Sequence, residues 1–230
     1  MKRLFLVLAA MILMAGSAQA EIVANWDMAD EPGDQEYTEA AGAADYITAF
    51  DMVRGTGLSN SYTGNNSLNS NGWGGTDADD YIEFGFSVAD GYEVTLSELW
   101  LGTRSSNTGP GTIGVYSSVD EFNSSVYTIT QQGSSYSNNI IDLSSLGTIP
   151  GDFSIRLYEI GNLQADDDGE TADTGTFRIT DYYDSGSYID VQFVGTVAAS
   201  AGTSPVPVPN AVILLGWGLI GLAGIKRKIS

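Results

Sequence analysis

The 230-residue sequence contains no cysteine and no histidine. Without cysteine the chain has no disulfide bond and no thiolate nucleophile, and without histidine it lacks the usual imidazole base and zinc ligand. Haem and iron–sulfur centres of the usual kinds need the same side chains. The chemistry left for catalysis is therefore that of carboxylates.

Basic residues are scarce, with nine lysines and arginines against 29 aspartates and glutamates. All 29 acidic residues lie between residues 21 and 204, where only four positive charges accompany them, so this part has a formal charge of −25. Phosphate binding needs a basic surface, and this excludes nucleic acid as a partner. Divalent cations would relieve the self-repulsion of the domain. The four basic residues are Arg54, Arg104, Arg156 and Arg178.

Long apolar runs are confined to the two ends of the sequence. Near the start, Lys2 and Arg3 precede the apolar run from residue 4 to residue 14. Ala18 and Ala20 then form the small-x-small pattern of a signal-peptide cleavage site before Glu21. We predict a signal peptide over residues 1–20. An uncleaved anchor is the alternative, for which the run is short.

The last two dozen residues have three parts in order. The motif Val206-Pro207-Val208-Pro209 comes first, an apolar and glycine-rich stretch over 211–225 follows, and Lys226-Arg227-Lys228 comes last. At about 1.5 Å of rise per residue, the stretch falls short of the roughly 30 Å hydrocarbon core of a bilayer. Because basic residues tend to stay cytoplasmic, the middle of the chain would lie outside. We predict transient insertion into the inner membrane.

This tripartite tail, paired with a signal peptide, resembles the PEP-CTERM sorting signal, with Val208 in the place of the usual glutamate. The resemblance implies an exosortase as partner, a membrane transpeptidase-like protease that cuts near the motif. It also implies secretion to the surface of a Gram-negative bacterium that makes exopolysaccharide. A plain tail anchor is the alternative.

The middle of the sequence consists of short alternating runs between breaks rich in glycine, serine, asparagine and aspartate. In YIEFGFSV, Ile82, Phe84, Phe86 and Val88 share one face of a strand. In YEVTLSELWL the phase slips near residues 97 and 98, which suggests a bulge or bend. Many short strands with one buried face must pair two sheets, so we predict an all-β, jelly-roll-like β-sandwich. The pattern of alternating runs and polar breaks over residues 81–195 is also similar to that of the carbohydrate-binding β-sandwiches carried by PEP-CTERM proteins.

These observations divide the chain into five segments. We predict the signal peptide over 1–20, the β-sandwich over 21–197, and a proline-, glycine- and serine-rich linker with the sorting motif over 198–209. A hydrophobic sorting helix over 210–225 and a basic cytoplasmic stub over 226–230 complete the chain.

Clustered carboxylates raise the question of a cofactor. Asp77, Asp79 and Asp80 precede a predicted strand, and their spacing suits a calcium ion, although it is not that of an EF-hand. Residues 166–170 form a second acidic cluster. Solvated acidic turns without any cofactor are the alternative interpretation.

Aromatic residues among polar neighbours are candidates for stacking on sugars. Trp73, in NSNGWGGTD, is the strongest of them, and its alternative role is to plug one end of the sandwich. Trp26 and Trp100 are interpreted as core residues. Further tyrosines in loop-like surroundings are Tyr62, Tyr136, Tyr182 and Tyr183.

The sequence predicts a secreted, exosortase-processed protein without catalytic activity, which is a structural or adhesive component of an extracellular polysaccharide matrix. A carbohydrate-binding module with a defined sugar site is the alternative. A glycoside-active enzyme that uses a carboxylate pair ranks third, because no pair of carboxylates is singled out by the sequence.

Overall fold

The computed structural model describes residues 20–61, 64–75, 77–166 and 169–201. The chain divides into two units, Met1–Ala198 and Ala199–Ser230, and the sheets described below belong to the first except for the last residue of the last strand. None of the helices among the described residues has the length and apolar character that crossing a bilayer requires. Several predicted features lie outside the described residues: residues 1–19 of the signal peptide with Ala18 of the cleavage site, Tyr62, the motif Val206, Pro207, Val208 and Pro209, the sorting helix, and the stub at Lys226, Arg227 and Lys228.

The described residues form nineteen strands and two short 3-10 helices. The helices span Ser118–Asp120 and Ser144–Leu146. In chain order the strands are β1 (Glu21–Trp26), β2 (Pro32–Gly33), β3 (Tyr37–Thr38), β4 (Gly42–Ala43), β5 (Ile47–Ala49), β6 (Met52–Arg54), β7 (Ser59–Asn60), β8 (Ser67–Asn71), β9 (Tyr81–Val88), β10 (Tyr92–Ser105), β11 (Thr112–Ser117), β12 (Ser125–Thr130), β13 (Tyr136–Asp142), β14 (Thr148–Ile149), β15 (Phe153–Glu159), β16 (Phe177–Thr180), β17 (Tyr182–Asp184), β18 (Ser187–Ile189) and β19 (Val191–Ala199).

The strands assemble into two large sheets and one hairpin. The first sheet has the order β2-β8-β16-β10-β19-β1-β4, with β13 and β14 paired to β10 and with β7 paired to β8. The second sheet has the order β12-β11-β15-β9-β6-β3, with β5 paired to β9. Strands β17 and β18 pair only with each other among the described strands, as a separate hairpin.

Alternating apolar residues form the inner face of the second sheet. In β9 the predicted inward residues Ile82, Phe84, Phe86 and Val88 are all buried. Strand β15 pairs antiparallel with β9, and its Ile155 stands opposite Phe84. This period of two is the pattern of strands with one buried face, so the predicted inward face of β9 is confirmed.

Five aromatic side chains join the two sheets across the core. Trp26 of β1 and Phe193 of β19 come from the first sheet, and Phe84, Phe86 and Phe153 come from the second. The Phe193 ring lies 5.5–5.7 Å from the rings of the other four. Such pairs add about 0.5–1.5 kcal/mol each beyond the burial of their surface. The predicted β-sandwich is thereby confirmed, while its jelly-roll connectivity stays a prediction.

Strand β10 changes its inward face part-way along its length. Val94 and Leu96 are buried in its first half, and Leu99 and Leu101 are buried in its second half. The pairing partner changes as well, from β14 at residues 94–95 to β13 at residues 98–104. The slip in phase expected near residues 97 and 98 is therefore present, and it turns the even-numbered residues of the second half outward.

Candidate functional site

The outer face of the first sheet brings together polar and aromatic residues from three neighbouring strands. Strand β10 lies between β13 and β16, and antiparallel register aligns their outward residues in rows. The first row consists of Tyr136, Arg104 and Arg178, and the second consists of Asn138, Gly102 and Thr180.

Gly102 allows a close approach at the centre of this face. A Cβ atom at this position would lie 2.2 Å from the carbonyl oxygen of Asp181 and 2.3 Å from the Thr180 Oγ1 atom. Any larger residue would push the end of β16 away from β10. Glycine therefore lets the chain after β16 lie directly on the sheet.

The hairpin of β17 and β18 rises from this point and forms one wall. Its two-residue turn, Ser185-Gly186, has positive φ angles of 49° and 100°, as the tight turns of twisted hairpins require. The Asn138 side chain holds the hairpin through two hydrogen bonds with the main chain of Tyr183: its amide nitrogen donates to the carbonyl, and its amide oxygen accepts from the N–H at 3.1 Å. The Tyr183 ring contacts the Tyr188 ring at 5.1 Å.

Between the hairpin and the sheet lies a cleft of about 420 Å³, which we call the tyrosine cleft. Three tyrosines present much of their surface there: Tyr136 is 64% exposed, Tyr188 is 70% exposed, and Tyr183 is about half exposed. The residues that line the tyrosine cleft are Asn65, Asn66, Tyr136, Asn138, Thr180, Asp181, Tyr183 and Tyr188.

Two arginines lie in neighbouring strands beside Tyr136, one of the residues that line the tyrosine cleft. The Arg104 guanidinium lies over the Tyr136 ring, 4.9 Å from its centroid, and its Nε donates to the Ser134 carbonyl oxygen at 2.7 Å. Arg178 is opposite Arg104 in the register, and its guanidinium lies against Gly64, just before Asn65. Burial, and then the neighbouring charge of Arg104, lower the pKa of Arg178.

One residue that lines the tyrosine cleft, Asp181, belongs to an acidic cluster. Asp181 is buried, and its Oδ1 accepts a hydrogen bond from the Met28 N–H at 3.0 Å. Carboxylate oxygens of Asp27, Asp181 and Asp190 lie within 4.8 Å of one another. Burial raises the pKa of Asp181 to about 6, and repulsion from Asp27 and Asp190 adds to the effect.

The role predicted for Trp73 is wrong. Its side chain is fully buried, so the ring is not available for stacking on a sugar. Its Nε1–H donates to the Ser70 carbonyl oxygen at 3.2 Å, and its ring meets Phe177 edge-to-face at 5.5 Å. The alternative interpretation, a plug at one end of the sandwich, fits this placement.

The two tryptophans interpreted as core residues have different positions. Trp26 is fully buried, as predicted. Trp100 is only half-buried, because the slip in β10 turns it to the outer face of the sheet. There it contacts the Tyr182 ring at 5.1 Å and donates to the Glu98 carboxylate at 2.7 Å.

The structure separates the three aspartates that were proposed as calcium ligands. Asp77 and Asp80 line a common small cavity, together with Glu159. Asp79 does not line it, and its Oδ2 accepts a hydrogen bond from the Thr56 hydroxyl at 3.0 Å. In the second acidic cluster, residues 167 and 168 lie outside the described residues.

Sequence reasoning selected Tyr136 and Tyr183 among several tyrosines, but it missed the residues around them. Tyr188 and Asn138 occur in runs that read as ordinary strands. A signal for Arg104 and Arg178 was present, since both occupy outward positions of strands in a domain that has only four basic residues.

Comparison with known proteins gives distant structural likenesses only. No protein-family model and no curated protein matches the chain. A carbohydrate binding module of family 29 is 14% identical, with 83% of this chain and 97% of that chain covered and a TM-score of 0.39. A family 11 carbohydrate-binding module from Clostridium thermocellum, in complex with a β-1,3-1,4-mixed-linked tetrasaccharide, is 15% identical over 76% of this chain and 97% of that chain, with a TM-score of 0.30. Such TM-scores do not establish a shared fold, and the site described above stands on its own residues.

Proposed function

We propose that the protein is a non-catalytic carbohydrate-binding protein of the extracellular space, which holds a polysaccharide chain in the tyrosine cleft. The observation that carries the proposal is the set of exposed tyrosine rings beside amide, hydroxyl and carboxylate groups in one cleft. Binding of this kind would make the protein an adhesive component of a polysaccharide matrix.

The chemistry of the tyrosine cleft suits a sugar ring. Pyranose rings have apolar C–H faces that stack on aromatic rings, and their hydroxyl groups need hydrogen-bonding partners at the edges. Tyr136 and Tyr188 offer flat, largely exposed rings, while Asn65 and Asn66 lie on the same cleft. Its volume of about 420 Å³ falls within the roughly 300–1,000 Å³ that is usual for ligand sites.

The paired arginines favour a polysaccharide that carries carboxylate groups. Two neighbouring guanidinium groups repel each other, and a uronate carboxylate would relieve that repulsion while accepting bidentate hydrogen bonds. In the described part of the chain the arginine that forms an ion pair is Arg156, with Glu83, and not Arg104 or Arg178. We infer that a single uronate unit held by Arg104 and Arg178 is bound more tightly than a neutral one, whereas the charge of −25 on residues 21–204 disfavours a chain that is charged along its whole length.

The residues that line the tyrosine cleft favour binding of a polysaccharide without its hydrolysis. Glycoside hydrolysis needs two carboxylates across the scissile bond, about 5–10 Å apart. Among the described residues that line the cleft, one carries a carboxylate, namely Asp181. Carboxylate oxygens of Asp27 and Asp190 lie within 4.8 Å of one of Asp181, but neither residue is among those that line the cleft.

Affinity electrophoresis of the purified protein through neutral and uronate-containing polysaccharides tests the proposal. Tyr188→Ala and Tyr136→Ala should each weaken binding about tenfold, which corresponds to roughly 1.4 kcal/mol. Tyr127→Ala is the matched control, because Tyr127 is an exposed tyrosine on β12 of the second sheet and should bind as the unaltered protein does. Retardation by no polysaccharide, or equal retardation of all three variants, would contradict the proposal.

We also propose that the ends of the chain are processed as the PEP-CTERM resemblance implies. The exported protein would begin at Glu21, and an exosortase would remove the hydrophobic helix together with Lys226, Arg227 and Lys228 after transient insertion in the inner membrane. Intact-mass spectrometry of the secreted protein tests this. A secreted species that keeps the three basic residues would refute the sorting.

A further inference from the structure

The start of β9 and the end of β15 bring an acidic loop against a glutamate that lies far away in the sequence. These strands pair antiparallel, and Tyr158 stands opposite Tyr81. Glu159, the last residue of β15, therefore meets the residues that precede β9, and this segment carries Asp77 and Asp80.

Glu159 occupies a position that normally belongs to an apolar residue. It continues the series Ile155 and Leu157, which face the core of the sandwich, and only 8% of its surface is exposed. A buried carboxylate is strongly unfavourable unless its charge is compensated. The Glu159 carboxylate therefore needs a hydrogen-bond donor or a positive charge beside it.

One oxygen of Glu159 has a partner, and the other has none. Oε1 accepts a hydrogen bond from the Thr171 hydroxyl. Oε2 is buried and has no hydrogen-bond donor among the described residues. A buried acceptor without a donor costs about 1–3 kcal/mol, and more when it carries charge. The free oxygen thus marks a position where a positively charged or donating group is expected.

A small cavity lies beside Glu159, and we call it the carboxylate cavity. Its volume is about 30 Å³, and it is lined by Gly75, Asp77, Asp80, Tyr158 and Glu159. Such a volume holds one ion or one water molecule and no organic ligand.

The negative charge around the carboxylate cavity is not compensated by the arginines of the domain. Asp80 is buried, and the carboxylates of Asp77, Asp79 and Asp173 add negative charge around it. Arg54 is held by the carbonyl oxygens of Gly33, Gln35 and Asn69. Arg156 pairs with Glu83, and Arg104 and Arg178 stand opposite each other on β10 and β16 of the first sheet.

We propose that Asp77, Asp80 and Glu159 bind one calcium ion in the carboxylate cavity and draw together around it, because their ligand oxygens do not all lie within 4.8 Å of one another in this structure. Three carboxylates provide hard oxygen ligands, and calcium tolerates irregular coordination completed by main-chain carbonyls and water. Magnesium demands near-ideal octahedral geometry and releases its water reluctantly, so it should bind more weakly. The ion would tie the loop before β9 to the end of β15, and so fix one end of the second sheet.

The site differs from a solvated acidic turn in its dependence on Glu159. A turn that only attracts ions would respond to any salt of equal ionic strength, because screening does not depend on one buried side chain. A water molecule or a proton at Glu159 Oε2 would also satisfy the oxygen, but neither would give a calcium-specific response.

Thermal unfolding of the purified full chain, freed of metal with a chelator, tests the proposal. Millimolar calcium chloride should raise the melting temperature more than sodium chloride of equal ionic strength does, because an ion that binds only the folded form stabilises it. Magnesium should have a smaller effect, and isothermal titration calorimetry should give one calcium ion per chain.

Substitutions at the proposed ligands test where the calcium ion binds. Glu159→Gln and Asp80→Asn should abolish the calcium-specific rise, and Asp77→Asn, at an exposed residue whose exchange does not endanger folding, should raise the Kd at least tenfold. Asp79→Asn is the matched control and should respond as the unaltered protein does, because Asp79 lies outside the carboxylate cavity. Equal shifts in the two salts, or a calcium response that survives Asp77→Asn with an unchanged Kd, would overturn the proposal.

Discussion

The outer faces of the two sheets carry similar residues that are used differently. On the second sheet, Arg156 forms an ion pair with Glu83 at 2.9 Å and lies over the rings of Tyr81 and Phe122 at 4.1 and 4.2 Å. It also donates to the Tyr158 hydroxyl at 3.1 Å. Every charged and aromatic group in this cluster already has a partner within the fold.

On the first sheet, the corresponding groups are left open. Arg104 stacks on one ring, Tyr136, which remains mostly exposed. Arg178 stands beside Arg104, a residue of like charge, and the hairpin adds the exposed Tyr188. The comparison teaches that residue type does not distinguish a binding face from a structural one. What distinguishes them is whether the fold itself has used the hydrogen-bonding, charged and stacking groups.

Both faces depend on the aromatic core, so its loss should have the largest effect. Phe193→Ala removes the ring that contacts four others across the sandwich and should lower the free energy of unfolding by about 3–5 kcal/mol. Urea denaturation followed by tryptophan fluorescence measures it. Ile22→Ala, at an exposed position of β1, should change it by less than about 1 kcal/mol. Similar losses in the two variants would contradict the packing described here.

The buried carboxylate at the tyrosine cleft should make stability depend on pH. The pKa of Asp181 is raised to about 6 in the folded protein, against an ordinary value of 3.8. The folded state therefore binds more protons between these values, and Asp181 destabilises the protein progressively as the pH rises from about 4 to about 6.

Asp181→Asn should remove this dependence and stabilise the protein by about 1–3 kcal/mol at pH 7, since the amide oxygen can still accept the Met28 N–H. Denaturation curves of both proteins at pH 4, 5, 6 and 7 measure it. A variant that is less stable at pH 7, or a difference that grows toward acid pH, would show that the charge of Asp181 is compensated in the folded state.

The open arginines of the first sheet should affect binding more than stability. Arg178→Gln should lower affinity for uronate-containing polysaccharide about tenfold and leave affinity for neutral polysaccharide nearly unchanged. Affinity electrophoresis with both kinds of polymer measures the ratio. Equal loss with neutral and acidic polymers would assign Arg178 a purely structural role. The comparison of the two faces would then fail at its central point.

Arg156, the arginine of the second sheet, should affect stability and not binding. Its replacement should have the smallest effect among the substitutions of Phe193, Asp181, Arg178 and Arg156. Arg156→Gln should lower the free energy of unfolding by about 1 kcal/mol, because a partly exposed ion pair and its stacked rings each contribute little. It should leave polysaccharide affinity unchanged. Loss of polysaccharide binding in this variant would place a binding surface on the second sheet.

The alternation of apolar residues predicted much of the sandwich. Ile82, Phe84, Phe86 and Val88 are inward as expected, and the slip in β10 is present. The consequence of that slip for Trp100 was missed, although it follows from counting alternate residues beyond position 98. A tryptophan beside leucines suggests a core residue by its composition, while its phase in the strand places it outside.

The candidate site was much less predictable. Trp73 lies in a polar, glycine-rich segment that is typical of a surface loop, yet its ring enters the sandwich beside Phe177. Tyr136 received no priority over the other tyrosines, because an exposed strand residue becomes part of a site only when another segment comes to lie beside it. The same is true of Asp80, whose neighbour Glu159 belongs to another strand.

The sequence by itself determined the inward face of strands such as β9, the absence of thiol and imidazole chemistry, and the large negative charge. These properties depend on composition and on a strand period of two, which are local. The tertiary structure alone decided which outward residues meet. Asn138 and Tyr183, 45 residues apart, are joined because strand register places the hairpin over Gly102. Register depends on the packing of both sheets at once, so the tyrosine cleft and the carboxylate cavity exist only after the sandwich has closed.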